Sequence, residues 1–244
     1  MSGCCDARGC DEFFGTRFAA RAARRYRKKG LDKTARRIVD FLATRGIEGA
    51  TVLEIGGGVG EIEIELIKRG AARGLNLELS RAYEEEAKRL RAEQGLEGRV
   101  EWRLYDIAAE SNGVEPGDVV VLNRVVCCYP DYGALLGAAA EHARRFLVFS
   151  YPPRHVVSRL FVAAQNLAFR LLRREFRTFA HPPEAMLEVV EERGFRAVFA
   201  YRAPVWQIAA LERESRVESR GVTRCRIENA EGGDRGRLRR DRGS

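Results

Sequence analysis

The chain reads as short apolar runs separated by amphipathic stretches of helical period. Thr51–Ile55 is apolar and contains β-branched residues, and it stops at three glycines, which predicts a buried strand and a tight turn. Ile62, Ile64, Leu66 and Ile67 follow among acids and bases, and their extent favours a helix over residues 59–69. Further strands are expected at 72–79, 99–104, 117–123 and 145–150, and two final ones at 195–200 and 205–210. The run 117–123 is apolar almost throughout, as in a strand buried on both faces. Between the strands, helices are expected over 81–94 with Ser80 as cap, from Asp131 to 143, over 155–174, and one started by His181-Pro182-Pro183-Glu184 and closed at Gly194. Ahead of the first strand, Phe14, Phe18, Ala22 and Tyr26 recur every four residues, so 13–29 reads as a helix ended by Gly30. A second helix, 32–44, leads to the strand. Strands alternating with helices predict an α/β fold.

Length adds organisation to this pattern. The 244 residues suit one α/β domain, 46–211, preceded by an arm and helices over 1–45 that could act as a lid. Hydrophobic periodicity disappears from 212 onward, and 212–244 is expected to be a disordered tail. No apolar run is long enough to span a bilayer. The opening residues lack the apolar core of a secretory signal, and the six cysteines form no disulfide framework, so a reduced, cytoplasmic chain is expected. The net charge of +8 sits at the ends: eleven Lys and Arg face four acids over 1–37, and ten Arg face seven acids over 212–244. The stretch between is slightly acidic, so no nucleic-acid partner is expected. Cys4, Cys5 and Cys10 lie close together without a nearby histidine or a common zinc spacing, so they read as a mobile arm and no metal site is expected.

The candidate chemistry centres on the glycine turn. Glu54, Gly56, Gly58 and Gly60 give the spacing E-x-G-x-G-x-G at the positive start of a helix. Without Cβ atoms, Gly56 and Gly58 can adopt unusual φ/ψ and let a ligand press on the backbone. A dinucleotide turn needs a small third residue, but that place is Glu61 counted from Gly56 and Glu63 counted from Gly58. A carboxylate there repels a diphosphate and tolerates a cationic sulfonium. Glu78 ends the second strand, 22 residues beyond Gly56, where an acid accepts hydrogen bonds from ribose. Asp106 lies just past the third strand, where an acid can accept from an adenine amine. Residues 123–129, beginning with Asn123, leave the fourth strand at the edge where ligands collect.

Together these residues resemble the class I S-adenosylmethionine-dependent methyltransferases over roughly residues 30–211. The resemblance implies a doubly wound, Rossmann-like, seven-stranded sheet with its last strand antiparallel, and S-adenosylmethionine as cofactor. Carried over by position, Gly56, Gly58 and Gly60 approach the amino-acid part of the cofactor, Glu78 binds ribose and Asp106 the adenine amine. Glu54 and Asn123 join the cofactor set. Glu78 is one methylene longer than the commoner Asp. The loop Tyr151–His155 with its two prolines, followed by an apolar and basic helix, is similar to the magnesium-protoporphyrin and ubiquinone-type O-methyltransferases. That likeness implies a small-molecule acceptor that is bulky, apolar and anionic, methylated on oxygen.

Methyl transfer needs alignment and exclusion of water more than it needs a base. The candidate catalytic side chains are Tyr129, Tyr151 and His155, with His181 further off. His155 alone has an ordinary pKa near neutrality, and it reads equally as a helix-start residue bonded to backbone. Cys127 and Cys128 read as pocket lining. Two alternatives stand beside this reading. One is a metalloid methyltransferase using Cys4, Cys5, Cys10, Cys127 and Cys128. The other is a cofactor-binding protein without turnover. Segments 13–29 and 154–174 each join an apolar stripe to arginines, which suits a lid over the catalytic edge, peripheral contact with an anionic membrane, or two ordinary surface helices.

Overall fold

The computed structural model describes residues 9–10, 13–110 and 112–214; Cys4, Cys5 and nearly all of the expected tail lie outside the described residues. Seven strands form one sheet in the order β3-β2-β1-β4-β5-β7-β6. They are β1 Thr51–Ile55, β2 Arg73–Glu78, β3 Val100–Leu104, β4 Gly117–Leu122, β5 Ala143–Tyr151, β6 Phe195–Tyr201 and β7 Gln207–Arg213. The first five pair in parallel, with Leu53 opposite Leu75 and Val120 opposite Leu147. β7 runs antiparallel to both β5 and β6, so the expected seven-stranded α/β sheet with an antiparallel last strand is what forms. The chain runs outward from β1 through β2 and β3, then returns to place β4 on the other side of β1. That reversal opens a crevice at the carboxyl ends of β1 and β4, the usual ligand site of such a sheet.

Period-two alternation builds the two core layers. Val52, Val119, Val121, Phe146 and Val148 point to one face, against helices α1 (Thr16–Lys29), α2 (Lys33–Ala43), α3 (Glu61–Lys68) and α4 (Glu84–Glu93). Leu53, Val120, Leu122, Leu147 and Phe149 point to the other, against α5 (Tyr132–Glu141) and α7 (Pro183–Glu191). Each β4 side chain from Val119 to Leu122 is buried, as its unbroken apolar run predicts. α2 sends Ile38, Val39, Phe41 and Leu42 into the same core as the sheet, and Asp32 caps it by accepting from the Thr34 and Ala35 amides.

Two local expectations need correction. Ser80 does not cap a helix; a single 3-10 turn, Arg81–Tyr83, intervenes, and the Ser80 hydroxyl instead donates to the Phe14 carbonyl at 3.3 Å. The Glu78 carboxylate has already taken the Ser80 amide, at 3.1 Å, so the chain turns sharply here before α4 can begin. The second correction is longer in reach. Helix α6 (Val156–Leu171) does form, but its apolar stripe faces outward: Leu160, Phe161 and Leu171 are 65, 66 and 76% exposed. Phe169 alone is buried, packed edge-on to Phe13 and Phe176.

Candidate functional site

The glycine turn forms as its composition demands. Gly56, Gly58 and Gly60 all have left-handed φ, at 65, 58 and 80°. A Cβ on Gly56 would sit 2.5 Å from Val125, and one on Gly58 would sit 3.1 Å from the Tyr83 ring. The turn is tied down from β2. The Asn76 side chain accepts from the Gly57 amide at 3.2 Å and donates to the Gly58 carbonyl at 3.3 Å. Glu78 accepts from the Gly58 amide at 2.9 Å and from the Leu79 amide at 2.8 Å.

Beneath the turn lies a buried acid pair. Glu54 is 1% exposed and accepts from the Glu63 amide at 3.1 Å. Burial pushes the carboxyl of Glu54 well up, outweighing that hydrogen bond, and Glu61 and Glu78 add repulsion. Glu63 is raised too, first by burial and then by Glu54, and its Oε2 has no hydrogen-bond partner among the described residues. At the start of α3, both carboxylate oxygens of Glu61 accept from Nη2 of Arg25, at 2.7 and 3.0 Å, while Nη1 of the same guanidinium pairs with Asp32 at 3.3 Å. The helix N-terminus that would receive a diphosphate therefore already holds a paired carboxylate.

A cavity of about 240 Å³ opens above the turn. Its lining includes Glu54, Gly56, Gly58, Glu78, Asp106 and Asn123, while Gly60 stays behind as the residue before α3. Asp106 holds its own loop by accepting from the Ala108 amide at 3.0 Å, and it accepts from the Tyr129 hydroxyl at 3.1 Å. Phe14, Phe18 and Tyr83 close the outer side, with the two phenylalanine rings of the N-terminal segment 6.3 and 6.4 Å from the tyrosine.

A second cavity of about 540 Å³ adjoins the first, and Phe14, Arg124 and Cys128 line both. It is walled by aromatic rings, among them Phe13, Phe161, Phe176, Phe179 and Trp206. Arg124 stands at the junction. It follows β4 directly in a left-handed conformation, φ 63°, which a branchless residue would adopt more readily. Its amide donates to the Ser150 hydroxyl at 2.8 Å, and that hydroxyl donates to Asn123 at 2.8 Å, so two neighbouring strands hold the strained residue. The guanidinium pairs with Asp32 at 2.8 Å and lies 5.1 Å over the Trp206 ring, and its Nε is buried without a partner among the described residues.

The three side chains singled out for catalysis part company. Tyr129 reaches the first cavity with its hydroxyl on Asp106. Tyr151 is buried beside Phe149 and lines neither cavity. His155 lines the second cavity as the cap of α6, its Nδ1 accepting from the Ser158 amide at 3.1 Å. His181 bonds the Tyr129 carbonyl at 2.9 Å, and burial lowers its pKa, so it supports the loop as a neutral ring. Cys127 and Cys128 bring their sulfurs within 3.6 Å, and the bond to Cys128 holds the Cys127 thiol below its usual range. Among the described residues no group of three His, Cys, Asp or Glu could hold a metal ion; Cys4 and Cys5 of the thiol alternative lie outside them. Asn76, Arg25 and the aromatic walls belong to no local sequence motif, because their partners lie in other elements. Asn76 could have been found as a lone amide in an otherwise apolar strand.

Several known proteins with this arrangement are methyltransferases. A family model described as a methyltransferase domain matches residues 23–199. Magnesium protoporphyrin IX methyltransferase from Synechocystis PCC 6803, with bound SAH, superposes with a TM-score of 0.66 at 20% identity, covering 83% of this chain and 97% of that one. An O-methyltransferase family protein from Burkholderia thailandensis gives 0.61 at 19% identity, covering 83% and 64%. An O-methyltransferase family 2 protein from Planctomyces limnophilus in complex with apigenin gives 0.55 at 16%, covering 76% and 63%. No curated protein matches the chain.

Proposed function

The chain belongs to the class I S-adenosylmethionine-dependent methyltransferases, and from that premise we propose that it methylates an anionic oxygen on a small, largely apolar acceptor. The first cavity suits the cofactor on three counts. The left-handed glycines leave space for a ligand against the backbone. Glu78 on the turn amides and Glu61 at the start of α3 put carboxylates where a diphosphate would lie, which favours a cationic ligand. Glu78 and Asp106 place acceptors at the ends of β2 and β3, for ribose and for the adenine amine respectively. When bound, S-adenosylmethionine supplies a methyl group already activated by its sulfonium.

The single observation that carries the acceptor assignment is Arg124. Of the three residues shared by both cavities, the charged one is a cation held in a strained backbone. A cation there holds an acceptor oxygen that is already ionised, such as a carboxylate or phenolate, and orients it toward the first cavity. No proton then needs to be removed. The aromatic walls seat the apolar body and exclude water. Phe13, Phe14 and Phe18 make the N-terminal segment a lid over this edge, with Phe13 stacked on Phe176 at 4.3 Å. A porphyrin or an isoprenoid-linked aromatic acid has the required shape and charge, as do in part the magnesium protoporphyrin IX in one structural relative's name and the apigenin in complex with another. We place the reaction in the cytoplasm, where the thiols stay reduced.

The test compares turnover of an apolar aromatic acid with that of its primary amide. The acid is expected to be methylated and the amide not. Arg124→Gly relieves the left-handed strain while removing the charge, and should lower kcat/KM by about 10- to 100-fold. Arg124→Lys should restore part of that loss. Equal rates for acid and amide, or an unaffected glycine variant, would refute the assignment.

A further inference from the structure

Helix α6 carries a large exposed apolar surface that extends well beyond the second cavity. Val156, Val157, Leu160, Phe161, Leu167 and Leu171 fall on one side of it and are all exposed. Isolated exposed leucines are ordinary, but a continuous stripe on one helix marks a contact surface. Its flanks are purely basic: Arg154, Arg159, Arg170, Arg173 and Arg174 occur, and no acidic residue lies between Pro152 and Arg174. Helix α1 extends the same character. No acid occurs between Thr16 and Lys29, and Arg17, Phe18 and Arg21 share a surface recess with Arg174. The two helices thus present one face, apolar along α6 and cationic around it.

Three occupants could cover such a face, and charge separates them. A second copy paired about a two-fold axis would set arginine against arginine, with no carboxylate on α6 to answer. An acidic protein groove would answer the arginines, but it would cover the mouth of the adjoining apolar cavity, which Val157 and Phe161 line. An anionic bilayer surface satisfies both parts, because headgroups take the arginines while the stripe sinks to the acyl boundary. The stripe also adjoins the acceptor cavity, since Val157 and Phe161 line both. No helix among the described residues is long and apolar enough to cross a membrane, so contact of this kind lies on the surface.

We propose that α6, flanked by the basic face of α1, docks on an anionic lipid surface and opens the acceptor cavity toward it. The proposal rests on the apolar acceptor assigned above, because a molecule that partitions into lipid would enter beside Val157 and Phe161. The experiment is co-sedimentation of the full chain with phosphatidylcholine vesicles, with and without phosphatidylglycerol. Binding is expected to the anionic vesicles, to weaken with salt, and to be at least about tenfold weaker on phosphatidylcholine alone. Leu160→Glu with Leu171→Glu should abolish it, and Arg159→Gln and Arg170→Gln should each weaken it about fivefold. None of these residues lines either cavity, so S-adenosylhomocysteine binding should persist in all the variants and reports that they fold. No vesicle binding, binding indifferent to these changes, or a dimer dispersed by Leu160→Glu would overturn docking. Such a result leaves the acid-versus-amide comparison untouched, so the two readings fail separately.

Discussion

The segments that follow β1 and β5 leave the same edge of the sheet, yet they are built on opposite principles. After β1, almost every polar group is placed: Asn76 and Glu78 bond the turn amides, Glu54 bonds the start of α3, and Arg25 grips Glu61. After β5, the His155–Ser158 cap and the bonds of Gln165 and Asn166 to Thr178 hold one side of α6, while on its other side apolar side chains stand in the open. The first arrangement suits a ligand of fixed shape, which is recognised best by a preorganised backbone. The second suits a partner that varies or a surface that is soft. Arg124 and Phe14 lie where the two meet, and the chemistry is assigned to that seam.

Breaking the rigid side should have the largest effect. Gly56→Val places a branched side chain at φ 65° and drives it onto Val125, which begins 2.5 Å from the added Cβ. Backbone strain alone is worth about 1–3 kcal/mol, and the turn must move to relieve it. Equilibrium dialysis should find cofactor binding lost, while circular dichroism shows the sheet retained.

A subtler probe uses the buried acids. Because the folded state raises the carboxyl of Glu54 to about 8, it binds a proton that the unfolded chain has already released above the ordinary carboxylate range. Folding stability should therefore fall as pH rises from the ordinary carboxylate value toward about 8, and level off beyond it. Glu54→Gln, neutral at every pH, should flatten that part of the profile of Tm against pH. A Tm that rises over the same interval would contradict the burial argument.

On the open side the expected effect is smallest. Leu160→Gln replaces a side chain that is 65% exposed, so urea denaturation should change by no more than about 0.5 kcal/mol. A loss of several kcal/mol would mean that the stripe packs against something within the chain, and the contrast between the two sides would disappear.

The same contrast explains what could be read before any coordinates. The strand-turn-helix at residues 51–68, the end of β2 at Glu78 and the loop at Asp106 were legible, because left-handed glycines and acids at strand ends are local consequences of composition. The helix at α6 was legible too, but the side it shows was not. Periodicity places Leu160 and Phe161 on one face, yet cannot say whether a sheet, a bilayer or water lies beyond it. Ser80 failed as a cap for a related reason: its local propensity was overridden by the Glu78 carboxylate, which holds its amide. Arg124 lies within a segment expected to face ligand, but its strain and its partner Asp32, 92 residues away at the start of another element, belong to the folded chain.

The most direct measurement is a calorimetric titration of the wild-type chain with S-adenosylhomocysteine and, separately, with NAD. The account predicts saturable one-site binding of the first and no heat from the second, since Glu61 occupies the place a diphosphate needs and is held there by Arg25. Tight binding of NAD, with no response to S-adenosylhomocysteine, would contradict it.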